Sequence, residues 1–248
     1  MHRFYVPEMG TDNHVWLDGE EAHHALCVLR LAVGDEVALF DGSGVECLGV
    51  VERVERHQAK LAITHRERVD RDPALATTLA CAIVKAKAMD GLVEACAELG
   101  LRELVPIETG RCVPKVERRE GVHVARWQRI AIEASKQCGR TTLTRIAAPR
   151  PLPALLERAA QWDLRLVFSP HSDALPLARV LRAYAKPRSA IFLIGPEGGF
   201  EDGELRDASS AGFEAVCLGK STLRTETAAA SALVAILFHY EQEVHSFA

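Results

Sequence analysis

Two short stretches near the C-terminus hold residue types suited to binding phosphates or organic ligands. The first, "CLGKSTLRTETA" over residues 217–228, contains Gly219-Lys220-Ser221, the ending of a nucleotide-triphosphate P-loop. That motif opens on a glycine, so that bare backbone amides can wrap the phosphates, and here the opening position is Glu214. A carboxylate has the wrong charge for a phosphate cradle, and no apolar strand elsewhere ends in the Asp that would hold magnesium. The turn therefore needs another purpose, and Arg224 points to one. A cation near a helix N-terminus opposes the helix dipole, so its placement suits an anion or a substrate. Thr225 and Thr227 are candidate N-caps of a helix expected to begin near Ala228, with Glu226 favoured in its first turn.

The second stretch, Gly195-Pro196-Glu197-Gly198-Gly199-Phe200, follows the apolar run "AIFLI" and precedes "EDGEL", an acidic helix start. It is not the G-x-G-x-x-G dinucleotide fingerprint. Its glycines would let main-chain groups approach a flat organic ligand while Pro196 stiffens the turn; equally, it could be a tight strand-to-helix turn that needs positive φ.

Both stretches sit where strands end. "LATTLACAIV" reads as a strand, "MDGLVEACAELG" as a helix with apolar spacing that stops at Gly100, and "ELVPI" as a strand again, which makes a β-α-β unit. Further strands are expected at "LRLVFS" and "AIFLIG", with helices near residues 123–138, 152–161 and 175–184. The predicted class for this part is α/β with a largely parallel sheet, and such sheets bind ligands beyond the carboxyl ends of their strands. The last helix, "AAASALVAILF", is apolar on nearly every face, so a sheet on one side and a second subunit on the other would bury it. Ahead of this part, "DEVALF", "VECLGVVERV" and "KLAITH" alternate with period two around the turn "DGSG", the pattern of a small antiparallel sheet or barrel. The polar segment "RERVDRDP" is the expected linker, dividing the chain into domains at 1–70 and 74–248.

Composition narrows the function classes. With 248 residues, 48% hydrophobic and 26% charged, the chain has ample core for an enzyme. Its apolar stretches fall short of the ~18 residues that span a bilayer, and the N-terminus lacks a secretory pattern, so the cytoplasm is the expected compartment and no membrane partner is expected. The seven cysteines are scattered without a C-x-x-C pair and read as reduced thiols. The ten histidines show no metal-ligand spacing, so no metal is expected. Charge is uneven: residues 71–150 carry fourteen basic against nine acidic side chains, whereas the chain as a whole has a net charge of -4. The basic middle is either a nucleic-acid footprint or a set of solvated helix faces.

Taken in order, "LIGPEGGFEDGEL" and "LGKSTLRTETAAASAL" resemble the bacterial family that methylates N3 of a uridine in 16S ribosomal RNA, within the SPOUT class. "HRFYVP", "HHALCVLRLAVGDEVALFDGSG", "MDGLVEACAELGLRELVPIETGRC" and "RWQRIAIEASKQCGR" resemble its other segments, so the similarity covers most of the chain. The resemblance implies an N-terminal PUA-like RNA-binding β-barrel and a C-terminal SPOUT α/β domain with a deep trefoil knot, a rare exception to unknotted topology. It also implies a homodimer that acts on 16S ribosomal RNA or the 30S subunit. S-adenosylmethionine is the implied cofactor, held at Leu193, Gly195, Pro196, Glu197, Gly198, Gly199, Leu218, Gly219, Leu223, Thr225, Thr227 and Ala228. The chain departs from the family at Ser221, where a basic residue is usual, and at Lys136, where Glu is usual. "KAKAMD" also lacks the glycine and the Asp-Arg pair common there.

The implied reaction sets what the site must do. Uracil N3 is a poor nucleophile until its proton leaves, so the site must help deprotonation and stabilise charge spreading onto O2 and O4. Arg224 is the candidate for that stabilisation. The base is open between Glu226, Glu197 and water. RNA contacts are expected from Arg3, His24 and Arg30, and from Lys85, Lys87, Gln137 and Arg140 in the basic middle. His24 could equally be a core residue, and Arg140 could cap a helix C-terminus.

Overall fold

A computed structural model describes residues 1–112, 120–170 and 174–241. The chain forms two compact units, Met1–Asp72 with Ile132–Leu143, and Pro73–Ala131 with Thr144–Ala248. The segment Ile132–Leu143, which the sequence reading leaves inside the second domain, clusters with the first unit.

The first unit holds strands β1 (His2–Tyr5) and β2 (His14–Leu17), helix α1 (Gly19–His23), and a π-helical turn His24–Val28. Strands β3 (Glu36–Phe40), β4 (Val45–Val54) and β5 (Ala59–Arg68) follow. They make one five-stranded sheet in the order β1-β3-β4-β5-β2. The expected antiparallel pairing holds except that β1 runs parallel to β3. Period-two alternation puts Val37, Leu39, Cys47, Val51 and Leu61 on one buried face with Phe4, Val15 and Leu17. In the β3–β4 turn the Asp41 carboxylate accepts the Ser43 amide at 2.8 Å, an Asx turn that explains the acidic residue in "DGSG".

The second unit contains β6 (Ala76–Ala82), α2 (Ala86–Glu98), β7 (Glu103–Glu108), the part of α3 (Glu120–Cys138) that precedes Ile132, β8 (Arg145–Ile146), β9 (Arg150–Pro151) and α4 (Leu152–Leu156). It continues with β10 (Leu164–Phe168), β11 (Leu175–Pro176), α5 (Leu177–Leu181), β12 (Ser189–Ile194), α6 (Asp202–Ser210), β13 (Glu214–Cys217) and α7 (Thr225–Glu241). Its strands pair in parallel in the order β11-β13-β10-β12-β6-β7-β8, with β9 also on β7. Strands β6 and β12 are buried along nearly their whole length, which is why they read as unbroken apolar runs instead of alternating. The helix expected over 152–161 is α4 followed by a 3-10 turn, and that expected over 175–184 contracts to α5. Pro176, the N-cap of α5, fixes where that helix starts, whereas Pro151 and Pro153 occupy tolerated positions at the start of α4.

Helix α2 buries Met89, Leu92, Val93, Cys96 and Ala97, one face at helical spacing. It ends in a Schellman motif: Gly100 has φ +92°, and the Leu101 amide donates to the Cys96 carbonyl at 2.9 Å. A Cβ on Gly100 would lie 2.6 Å from the Pro73 ring. Gly100→Ala should therefore destabilise the protein by about 2 kcal/mol or more, from left-handed strain plus the clash, read as a lower midpoint in chemical denaturation. An unchanged midpoint would mean that the cap relaxes freely.

Helix α7 begins three residues before Ala228, already at Thr225. It packs on α2, β6 and β12 and buries Ala229, Ala232, Leu233 and Ile236. The described residues leave part of its other face open: Val234 is 46% and Phe238 68% exposed.

Candidate functional site

Strand β10 lies between β12 and β13, so the segments that leave these three parallel strands meet at one end of the sheet. They form an open cleft of about 650 Å³, including space open to solvent. From the loop after β12 the cleft takes Gly195, Pro196, Glu197 and Gly199; from the loop after β13 it takes Leu218, Gly219, Leu223 and Thr225, with Ala228 of α7. Three expected cofactor residues do not line it. Leu193 is fully buried in the core cluster, because alternation along β12 turns it into the sheet's packed face. Gly198 faces Arg111, whose Nη1 donates to its carbonyl at 2.8 Å, and Thr227 is exposed on α7.

Sequence reasoning did not single out the third wall: Phe168, Ser169 and Pro170, just beyond β10. A signal for it exists in the sequence, since ligands gather beyond the carboxyl ends of parallel strands and "LRLVFS" has the pattern of one.

The glycine loop is both a ligand wall and a tight turn. The Gly199 amide donates to the Pro196 carbonyl at 2.8 Å, and Gly199 takes φ +69°. A Cβ on Gly195 would meet the Phe200 ring at 3.2 Å, and Phe200 is a core residue. The loop then enters α6 through a capping box between Glu201 and Glu204; Glu204 also accepts the Gly110 amide at 2.8 Å. The N-cap role expected of Thr225 is corrected here. Thr225 is the first helical residue, and its buried hydroxyl donates to the Gly195 carbonyl at 3.1 Å, tying the two loops together.

Arg224 stands between two lining residues, immediately before α7. It is exposed, and its side chain makes no hydrogen bond or ion pair with the described residues. Its carbonyl accepts the Ala228 amide at 2.8 Å, which anchors the backbone while leaving the guanidinium available. Glu197 is exposed and Glu226 half-buried.

The expected RNA-contacting residues divide into two groups. Arg30, Lys85, Lys87 and Gln137 are exposed. Arg30 is the non-glycine described residue with positive φ, +57°, at the end of the π-helical turn. Arg3 and Arg140 are instead engaged within the first unit. Arg3 bonds Glu46, which also pairs with Arg71, and Arg140 Nε donates to Asp72 at 2.9 Å. Burial pushes the Glu46 carboxyl up, but hydrogen bonds from Arg71 and Arg3 outweigh it and hold the group below the usual range. His24 is half-buried and sits edge-on to Phe4, with ring centroids 6.1 Å apart. Lys136 is buried too, with Nζ 2.9 Å from Glu21 and 3.0 Å from Glu133, so this departure from the family is balanced by two carboxylates.

Among the described residues no group of three or more His, Cys, Asp or Glu side chains could hold a metal ion, and no helix is long and apolar enough to cross a membrane.

Comparison with known proteins gives this geometry a context. An RNA methyltransferase domain family matches residues 71–237, and an RNA methyltransferase PUA domain family matches residues 17–64. The chain is 32% identical to the ribosomal RNA small subunit methyltransferase E of Synechocystis over 93% of its own length and 75% of that protein's. It is similar to a Legionella pneumophila protein solved in complex with the bound cofactor SAM, at 33% identity and a TM-score of 0.87, covering 95% of this chain and 96% of that one. It is likewise similar to ribosomal RNA small subunit methyltransferase E from Neisseria gonorrhoeae bound to S-adenosyl methionine, at 32% identity and a TM-score of 0.84, covering 95% and 96%.

Proposed function

Because this chain belongs to the ribosomal RNA small subunit methyltransferase E family, we propose that it transfers a methyl group from S-adenosylmethionine to N3 of a specific uridine in 16S ribosomal RNA of the small subunit. One observation carries the reading. The segments after three adjacent parallel strands converge on one cleft, with an uncommitted arginine between two of the residues that line it.

The cleft fits the cofactor. Its walls are glycine backbone and apolar side chains such as Leu218, Leu223 and Ala228, which suit a flat base and a ribose. When bound, S-adenosylmethionine supplies an electrophilic methyl group on a cationic sulfur. The chain's own residues do the rest. Gly195, Pro196, Gly199, Leu218 and Gly219 hold the ligand largely through main-chain groups. The Thr225 bond to Gly195 keeps the two loops in register, so that methyl group and nucleophile can be held in line. Arg224 stabilises the negative charge that reaches uracil O2 and O4 as the N3 proton leaves. Glu226, Glu197 or water receives that proton.

On the RNA side, both the N-terminal unit, read as a PUA-like barrel over 1–70, and the catalytic unit over 74–248 contribute to recognition. Arg30, Lys85, Lys87 and Gln137 are the proposed RNA contacts, since they are exposed. Arg3 and Arg140 are assigned to shaping the first unit, because their guanidiniums already serve Glu46 and Asp72. The fold proposed for this unit is the family's trefoil knot, in which α7, packed on β12, β6 and α2, would belong to the knotted segment. The uncovered Val234 and Phe238 support a homodimer through α7. The proposed setting is the cytoplasm, where ribosomal subunits mature.

Gly195→Val tests the cleft. The added side chain must displace Phe200 or fill the ligand space, so the affinity for S-adenosylmethionine by calorimetry should fall by about tenfold or more. Wild-type affinity in a folded variant would move the cofactor elsewhere.

A further inference from the structure

Near the opposite end of the same parallel sheet lies a second cavity, of about 680 Å³ including space open to solvent, at the starts of β6, β7, β8 and β12, joined by Arg150 of β9, whose backbone pairs beside the far end of β7. Since β6 and β12 run in parallel from Ala76 and Ser189, this cavity is separated from the cleft by the length of the strands. Four arginines line it: Arg102, Arg145, Arg150 and Arg158. Glu103 is the lining carboxylate, and it is already paired with Arg145. The neighbouring Asp163 is occupied by the Arg188 and Ser189 amides at 2.8 and 3.1 Å. Positive charge therefore exceeds negative charge in a concave site.

Arg150 is the informative member. Its Nε is buried and has no hydrogen-bond partner among the described residues. No described residue hydrogen-bonds or ion-pairs with the Arg150 side chain, so its charge is left for an anion in the cavity to balance. Arg158 reaches Gln161 at 3.2 Å and otherwise faces the same space. Trp162 also lines the cavity; it is 9% exposed, and its indole N–H donates to the Thr78 hydroxyl at 3.1 Å.

We propose that this cavity is a second ligand site of the catalytic unit, which takes the phosphate group of a nucleotide-sized ligand through Arg150 and Arg158. Guanidiniums in a fork match phosphate oxygens bidentately, and the cavity leaves room for the attached organic part. A free nucleotide and an RNA backbone segment present the same phosphate chemistry.

Calorimetric titration of the full-length protein with inorganic pyrophosphate tests this directly. Saturable binding is expected, weakened about tenfold or more in Arg150→Ala and again in the exposed variant Arg158→Ala. Arg179→Ala, another exposed arginine outside the cavity, should bind as wild type. Displacement of pyrophosphate by uridine monophosphate would identify a free nucleotide as the source, and displacement only by a short oligoribonucleotide would identify RNA. No saturable binding, or equal binding by wild type and Arg158→Ala, overturns the proposal. The site stands apart from methyl transfer, so both variants should keep wild-type affinity for S-adenosylmethionine measured in the same samples.

Discussion

Arg224→Ala lowers the rate of methyl transfer by about a hundredfold to a thousandfold while leaving the affinity for S-adenosylmethionine essentially unchanged. The split follows from position. Arg224 flanks the cleft without lining it, and its backbone carbonyl, which the substitution keeps, is what holds the start of α7 through the Ala228 amide. The guanidinium is exposed and has no described partner, so its removal orphans nothing in the fold. What disappears is a cation beside the charge that develops on uracil. Calorimetry for binding and a single-turnover assay for transfer separate the two effects. Normal turnover by the variant would remove Arg224 from the mechanism, and loss of cofactor binding would make it part of the cofactor site instead.

The parts of this site that depend on local pattern were legible in the sequence. The two glycine-bearing loops could be placed at strand ends because buried parallel strands such as β12 read as apolar runs and glycines mark where backbone must come close. The wall at Phe168, Ser169 and Pro170 carries no glycine, and only the sheet order, which inserts β10 between β12 and β13, brings it to the cleft. Contacts distant in sequence were not legible. Arg3 meets Glu46 and Arg140 meets Asp72 across 43 and 68 residues, so both read as surface cations until the fold supplied their carboxylates. Thr225 read as a cap because the local rule for threonine at a helix start is capping. Its actual partner, the Gly195 carbonyl, lies 30 residues earlier.

If the proposed homodimer forms through α7, Phe238→Glu should convert it to a monomer at micromolar concentration and lower methyl transfer with it. Phe238 and Val234 lie one helical turn apart on the face of α7 that the fold leaves open, 68% and 46% exposed. A large aromatic at the centre of an interface typically contributes about 2 kcal/mol or more, and a buried unpaired carboxylate adds to the loss, so the dimer dissociation constant should rise about a hundredfold or more. Because the side chain is exposed within one chain, the substitution should leave the thermal midpoint of the monomer largely unchanged. Sedimentation velocity reads the association state. A wild-type monomer, or a variant that stays dimeric, would place the subunit contact elsewhere and leave the exposed stripe without that role.

The central claim is methyl transfer to N3 of a uridine in small-subunit RNA, and nucleoside mass spectrometry reads it most directly. The full-length protein is incubated with labelled S-adenosylmethionine and, separately, with unmodified 30S subunits, free 16S ribosomal RNA and transfer RNA. Labelled 3-methyluridine should appear in 30S subunits or 16S ribosomal RNA and be absent from transfer RNA. Label on transfer RNA, label at another uridine atom, or no label in any pool would contradict the account.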